Sequence, residues 1–466
     1  MKSSKKQMTG RAMARDLQKL VRQPASVIVD SAALVEYAAD KWFASHQPDV
    51  AVLASSPEEI SAVMTYAAKK GIPVTTRGAG YGYVGGCVPS HGGIVLSTAR
   101  MRKIREVSAT DFVAVVEPGV ITADLQAAAR RKKLFYPPDP ASMKNCSIGG
   151  NIATNAGGPR CLKYGVTRNY VLGLQVVLAD GSLVRVGGRT HKNKTGFDLV
   201  SLFTGSEGLL GIVTEATLRL LPHPPARATI SAGFATMTAA AECVQKIFTA
   251  GFLPAAVEVA DHFTLDAARK HVRDARIPPG KAHLLVELDG QAASVRSEIR
   301  AIAELLRKKK ATQIEMAHTP EACEKLWALR RKFSESLKAT GLIKLNEDVV
   351  VPRGRLVDLM NFAEKLQKRS GFPVACFGHA GDGNIHVNIM VPNMSDPASR
   401  RKADDALDRL FAQIIAWEGA ITGEHGIGLA KRRWWPLAVS ENNRKLHATV
   451  KRALDPQGLL NPGKIF

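Results

Sequence analysis

Short apolar runs alternate with loops of glycine and small polar residues along much of the chain, most sharply between residues 146 and 220. There CSIGGNIATNAGGPR sets Gly149, Gly150, Gly157 and Gly158 around Asn151, Thr154 and Asn155, with almost no bulky side chain. Glycine lacks a Cβ and lets backbone N–H groups approach an anion closely, while Asn and Thr add side-chain donors. VLGLQVVLAD, the turn Asp180-Gly181-Ser182 and LVRVGG together predict a β-hairpin. A second small-residue turn over 205–211 leads into the strand-like IVTEATLRL. Such loops between apolar strands suit a long, phosphate-bearing cofactor lying against the ends of a sheet. Ordinary tight turns explain one such loop well and a series of them poorly.

Upstream, PDVAVLASSPEEISAVMTYAAKKGIPVTTRG predicts a strand over 50–54, a helix ending at Gly71 and a strand over 73–76. Ser56 caps that helix, Pro57 opens its first turn, and Glu58 and Glu59 sit at its positive pole. A short helix is expected over 31–42. The loop 77–93 contains a G-x-G-x-x-G at Gly80, Gly82 and Gly85. A Rossmann motif must open a helix, whereas Gly86, Pro89, Gly92, Gly93 and a strand over 94–97 follow here. The loop can still cradle a pyrophosphate through backbone N–H groups, without a helix dipole. A strand over 112–116, a helix over 123–133 and a rigid proline-rich stretch over 136–142 complete this part. Pro222, Pro224 and Pro225 mark its end.

The second half predicts strands over 255–259 and 283–288, charged helices over 292–310 and 320–338, a strand over 344–352 and a helix over 355–370. PVACFGHAGDGNIHVNIMV then predicts two strands about a Gly-Asp-Gly turn, followed by a helix over 399–418 and a glycine-rich bend over 419–428. This is an α+β pattern. The expected organisation is a basic tail and helix (1–44), a first domain (45–222), a second domain (223–415) and a returning C-terminal segment (416–466).

The length of 466 residues fits two cores better than one, and 45% hydrophobic with 23% charged residues describes a globular protein. No stretch approaches about 18 uninterrupted apolar residues. The start, MKSSKKQMTGRAMARDLQKLVRQ, has no apolar core for a secretory signal, so a cytoplasmic location is expected, with the mitochondrial matrix as the alternative. The net charge of +22 favours anionic partners: carboxylate substrates, an acidic redox protein or an anionic membrane surface in a peripheral association. Nucleic acid is disfavoured, because no basic–aromatic motif accompanies the 6% aromatic content. The six cysteines form no C-x-x-C pair, which argues against a disulfide framework, a zinc ribbon or an iron–sulfur cluster held within the chain. The oligomeric state is left open, a homodimer included.

His379 and His386 flank a turn, and imidazoles brought together there suit a divalent cation, with Glu424 available as a third ligand. On spacing alone, two structural histidines are the stronger reading. His425, between Gly423, Gly426 and Gly428, is placed equally well for proton transfer or for capping a turn. Arg330 and Ser334 lie four apart on an expected helix and could bind a carboxylate, although spacing alone favours solvated surface.

Arg77-Gly78-Ala79-Gly80, Pro137-Pro138-Asp139-Pro140, IGGNIATNAGG, GSEGLLGIVTE, GHAGDGNIH, GEHGIG and LNPGKIF occur in this order. With these motifs, residues 45–466 resemble the FAD-dependent D-2-hydroxyacid dehydrogenases of the vanillyl-alcohol-oxidase type. That family includes D-lactate dehydrogenase, the glycolate oxidase FAD subunit and D-2-hydroxyglutarate dehydrogenase. The resemblance implies an α+β fold: a two-subdomain FAD-binding domain, an α+β cap domain, and a C-terminal segment returning to the flavin.

The resemblance also implies roles. Arg77, Gly78, Ala79, Gly80, Tyr81, Gly85 and Gly86 would contact FAD at the pyrophosphate. Pro138, Ser142, Gly149, Gly150, Asn151, Thr154, Asn155 and Gly158 would line the rest. Glu207, Gly208, Gly211, Ile212 and Val213 would meet the adenosine side, and Asn461 the flavin. Tyr81 stands where covalent members carry His, so dissociable FAD is expected. His379, His386 and Glu424 would hold zinc or manganese, which would polarise the substrate hydroxyl. His425 would be the general base, hydride would pass to flavin N5, and Arg330 with Asn388 would fix the carboxylate. Ser334 matches a Thr of the hydroxyglutarate enzymes. Lys344 lies near their substrate lysine but out of register, with Asn346 closer, so D-lactate or a similar monocarboxylate is preferred. Electrons would pass to an iron–sulfur subunit, an electron-transferring flavoprotein, a cytochrome or a quinone. The rivals are a D-2-hydroxyglutarate dehydrogenase, a glycolate oxidase subunit, a transferase of the alkyl-dihydroxyacetone-phosphate synthase type, and a binding protein without turnover.

Overall fold

The computed structural model describes residues 9–272, 274 and 276–466. The first eight residues of the expected basic tail lie outside this range. The chain divides into two units. The first comprises 9–156, 166–223 and 424–466, and the second 157–165 and 224–423.

In the first unit, local signals and structure agree closely. Ser56 Oγ accepts the Glu59 N–H at 3.3 Å to open the helix Pro57–Lys70, and Gly71 closes it at φ +66°. Strands Val50–Leu53, Ile94–Ser97 and Val74–Arg77 pair in parallel, with Val27–Ile28 antiparallel at the edge. Ile104–Ser108, Val113–Val116, Ile212–Arg219, Val171–Val177 and Leu183–Gly187 form an antiparallel sheet in that order, including the expected hairpin. These two sheets are the two parts expected of the first domain. The returning segment joins the first sheet: Leu460 bridges Val74 in parallel, and the Asn461 N–H donates to the Val74 carbonyl at 2.8 Å.

Some local expectations are corrected. The stretch expected as a helix over 31–42 is helical only over Ser31–Leu34, followed by a 3-10 turn at Val35–Tyr37. The glycine-rich stretch after Cys146 is a helix, Ile148–Thr154, because Ser147 caps it and Asn155 ends it at φ +51°. The expected tail is partly core: in Gly10–Gln18, Met13, Ala14 and Leu17 pack with Val50, Val52 and Ile60. Residues 157–165 belong to the second unit, since Arg160 pairs with Glu287 at 2.8 Å and Lys163 with Asp289 at 2.5 Å. The returning segment begins at Glu424, not 416.

The second unit is built on an antiparallel seven-stranded sheet. Its order is Gln313–Ala317, Ala226–Phe234, Ala282–Gly290, Ala256–Ala260, Val374–His379, Asn384–Val391 and Ile343–Val350. One apolar cluster packs Leu329, Phe333 and Leu337 against Ala260, Ala375 and Phe377. The helix expected over 320–338 breaks into Pro320–Arg331 and Phe333–Lys338, so the assumption that Arg330 and Ser334 share one helical face does not hold.

Gly149 marks where the first unit tolerates no side chain. Its N–H bonds the Pro118 carbonyl at 2.8 Å, and a Cβ would lie 2.7 Å from Pro118 Cβ. Gly149→Ala is expected to destabilise by about 1–3 kcal/mol through overpacking, read as a lowered midpoint in thermal unfolding. Gly354→Ala, where an added Cβ meets nothing within 4 Å, should leave the midpoint unchanged.

Candidate functional site

The loop after strand Val74–Arg77 is the clearest anion cradle in the first unit. The N–H groups of Gly78, Ala79, Gly80 and Tyr81 find no backbone acceptor among the described residues. A cleft of 790 Å³ opens beside them, lined by Tyr37, Arg77, Gly78, Ala79, Tyr81 and Asn145. The loop sits tightly against the start of helix Ile148–Thr154: a Cβ on Gly78 would come within 2.7 Å of Ser147 Oγ. Arg77 shapes the loop from behind, donating through Nη1 to the Ala39 carbonyl at 2.7 Å and to Cys87 Sγ at 3.3 Å. Thr76 Oγ1 is buried and without a partner. Open N–H groups, small residues and a cleft fit a pyrophosphate-bearing group such as FAD.

Other residues expected to contact the cofactor also make bonds within the protein. The N–H groups of Ile148 and Gly149 bond the carbonyls of Val120 and Pro118, and Gly150 bonds Ser147 Oγ, so this turn is not an open anion nest. Asn151 turns inward to Thr122 Oγ1 at 2.6 Å, Thr154 bonds the Gly150 carbonyl, and Asn155 Oδ1 accepts from the Arg168 N–H. The Pro138 carbonyl takes Gln126 Nε2, and the Ser142 carbonyl takes the N–H groups of Asn145 and Cys146. The Gly158 N–H meets Cys161 Sγ at 3.1 Å, inside the second unit. Gly85 packs against Trp42 and Leu429, and Gly211 against Val176. Ile212 and Val213 are the first residues of a central strand.

Asn461 is a three-way pin. Its Oδ1 accepts the Thr76 N–H at 3.0 Å, and its Nδ2 donates to the carbonyls of Glu207 and Gly86 at 2.6 and 3.3 Å. Gly208 lies against it, where a Cβ would come within 2.9 Å of Nδ2. The Glu207 carboxylate accepts the N–H groups of Ile427 and Gly428 at 2.7 and 2.8 Å, which anchors the stretch carrying His425. Burial pushes the Glu207 pKa up, against the pull of those N–H groups. The His425 ring stacks on Tyr83 at 5.3 Å between centroids. Tyr83 was not anticipated; the repeated Gly-Tyr of the loop 80–83 was its signal.

In the second unit the chemistry gathers on one face of the sheet. His379 and His386 come from adjacent strands, with ring centroids 5.7 Å apart and ligand nitrogens within 4.8 Å. Beside them lies Glu258, which sequence reasoning missed. One carboxylate oxygen meets His379 Nδ1 at 2.5 Å, and the other takes Arg330 Nε and Nη2 at 2.7 and 2.5 Å. The signal was a single acid in the otherwise apolar strand Ala256–Ala260. Burial alone would raise the Glu258 pKa, but the charges of His379 and Arg330 outweigh it and the net direction is down. Arg330 is therefore buried and paired, not solvated surface.

Asn388 also differs from expectation. Its Nδ2 donates to the carbonyls of Ala375 and His386, leaving Oδ1 buried and unpartnered. An acceptor cannot pair with a carboxylate; it suits a hydroxyl proton or a cation. Asn346, opposite it on the neighbouring strand, likewise has a buried Oδ1 without a partner. Ser334 and Lys344 do come together, with Lys344 Nζ donating to Ser334 Oγ at 2.8 Å. Burial, with Lys338 adding, lowers the Lys344 pKa to about 8. Asp348 accepts from Asn384 Nδ2, Thr422 Oγ1 and the Gly423 N–H at 2.7, 2.9 and 2.9 Å, holding the chain where it reaches Glu424. The paired imidazoles, with His379 Nδ1 already committed to a carboxylate, fit a divalent cation bound through the remaining ring nitrogens.

Comparison with known proteins finds relatives along most of the chain. Residues 48–187 match the family model "FAD binding domain" and residues 223–465 match "FAD linked oxidases, C-terminal domain". Glycolate oxidase subunit GlcD of Bacillus subtilis (strain 168) is 37% identical over 419 residues, covering 90% of this chain and 89% of that protein. A D-lactate dehydrogenase of Anaerostipes hadrus is 33% identical, covering 90% of each. Among solved structures, p-cresol methylhydroxylase with substrate bound superposes with a TM-score of 0.78 at 19% identity, over 98% of this chain and 96% of that one. That likeness speaks for the fold alone. Among the described residues, no helix is long and apolar enough to cross a membrane.

His283 provides a pH test of the second unit. It is buried, with Nε2 2.9 Å from Ser231 Oγ, and burial, with the Arg330 charge adding, lowers its pKa to about 3. The unfolded chain regains a value of about 6.5 and binds the proton that the folded ring refuses. This contribution to stability is complete above about pH 6.5 and is lost as pH falls from there toward 3, at up to about 1.4 kcal/mol per pH unit. Denaturant melts at pH 7.5 and 5 should show that loss in the native protein and a smaller one in His283→Gln.

Proposed function

The chain belongs to the FAD-linked oxidases and is an FAD-linked oxidoreductase; from that premise we propose that it oxidises a D-2-hydroxy acid, with D-lactate or a similar monocarboxylate as substrate, to the 2-oxo acid. The observation that carries this reading is the set His379, His386 and Arg330 gathered about Glu258 on one buried sheet face. It offers ligands for a cation and a guanidinium for a carboxylate, the two features of a 2-hydroxy acid that need holding.

FAD, when bound dissociably at the loop 77–86, supplies the two-electron acceptor. A divalent ion, zinc or manganese, supplies a Lewis acid that lowers the hydroxyl pKa; His379 and His386 would hold it, with Glu424 as the third ligand. The residues themselves perform the remaining work. Arg330 holds the substrate carboxylate, its orientation fixed by the bond to Glu258. Asn388 Oδ1 offers an acceptor to the hydroxyl side. His425, supported by its stack on Tyr83, takes the hydroxyl proton. Electrons leave to a separate acceptor, and the net charge of +22 supports an acidic one.

One observation favours a second reading. Lys344 and Ser334 meet at 2.8 Å and could receive a second carboxylate, as a D-2-hydroxyglutarate substrate would require. A panel of D-lactate, L-lactate, glycolate and D-2-hydroxyglutarate with a dye acceptor, with and without a chelator, decides between them. Flavin bleaching and dye reduction with D-lactate, suppressed by the chelator, are expected. Turnover of D-2-hydroxyglutarate alone selects the second reading, and no dye reduction with any acid overturns both. His425→Gln should lower kcat by about 10²- to 10⁴-fold while the flavin absorbance of the purified protein stays unchanged.

A further inference from the structure

Glu258 and His379 face each other directly across adjacent antiparallel strands, so sheet register alone brings them together. The carboxylate is wholly buried, and its two oxygens are divided between different partners: Oε1 to His379 Nδ1, Oε2 to Arg330 Nε and Nη2. With Nδ1 donating to the carboxylate, the neutral form of the His379 ring carries its lone pair on Nε2. On Arg330 the same carboxylate fixes the plane of the guanidinium, which also lies over the Phe377 ring at 4.9 Å. Stability is a poor reason for such an arrangement. Removing two or three charges from water costs several kcal/mol each, and well-packed apolar residues commonly replace a buried ion pair without loss.

We propose that Glu258 is the positioning residue of the second unit: one buried carboxylate that holds His379 with its proton on Nδ1 and at the same time holds Arg330, so that the nitrogen offered to a divalent cation and the arginine offered to a substrate carboxylate are set by a single group. This rests on the reading of His379 and His386 as metal ligands. It adds that cation affinity and carboxylate recognition are coupled through a residue that touches neither ligand. Loss of Glu258 should therefore damage both, whereas loss of a residue with a framework role alone would lower stability and leave the two affinities intact.

The test uses full-length FAD-loaded protein. Binding of Zn²⁺ and Mn²⁺ is measured by equilibrium dialysis, and Co²⁺ by its visible spectrum, for wild type and Glu258→Gln. The expected result is a metal affinity about 10- to 100-fold weaker in the variant, a raised KM for the 2-hydroxy acid, and unchanged flavin content. Wild-type affinity in Glu258→Gln overturns this proposal and leaves the metal reading standing. Failure of the wild type to take up any of the three ions overturns the metal reading, and the proposal with it. A second measurement needs no variant and so does not depend on Glu258→Gln folding. In ¹⁵N-histidine NMR of the metal-free protein, the His379 ring should carry its proton on Nδ1; a ring protonated on Nε2 alone overturns the proposal.

Discussion

A charged group inside a protein must be met by opposite charge or by hydrogen bonds, because leaving it unmet costs more than a domain can spare. The second unit depends on this constraint. One face of its sheet carries Glu258, His283, Glu287, His379, His386, Asn388 and Asp348, all buried. Each charge has an answer close by. Glu287 is answered by Arg160 and by the Trp327 indole N–H at 2.6 Å, Glu258 by Arg330 and His379, and Asp348 by an amide, a hydroxyl and a backbone N–H. The same face also carries the Oδ1 atoms of Asn346 and Asn388, buried acceptors that no described residue meets with a hydrogen bond.

The first unit uses carboxylates and amides differently. Glu207 and Asn461 meet backbone groups, and they fasten loops that are far apart in sequence. Many of its glycines sit where a side chain would collide with a neighbouring strand or loop, as at Gly78, Gly149 and Gly211. In the loop 78–81 four successive N–H groups find no backbone acceptor among the described residues. The site is a rigid frame around one exposed stretch of backbone.

Much of this was legible in sequence where the cause was local. The cap at Ser56, the stop at Gly71, the hairpin about Asp180-Gly181-Ser182 and the refusal of a Rossmann reading at Gly80 all followed from neighbours a few residues away. The errors came where distant residues decided. Gly149 and Gly150 looked like an anion nest, but Val120 and Pro118 had already claimed the first N–H groups of that turn. Arg330 looked like surface because Glu258, 72 positions earlier, cannot be paired with it from spacing. Asn388 suggested a donor, yet the carbonyls of Ala375 and His386 take both of its hydrogens.

The bridge between Leu460 and Val74 also constrains the order in which the molecule can be made. The strand Val74–Arg77 is translated before the second unit, but Leu460, its partner on the edge away from Ile94–Ser97, only after it. Closing so long a loop carries an entropic cost and slows folding. During elongation the nascent first unit therefore waits with one strand edge uncovered, while the second unit, contiguous apart from 157–165, has all its strands available. A chain of this design completes the first unit only after the second has been made, and chaperone engagement should concentrate on that interval.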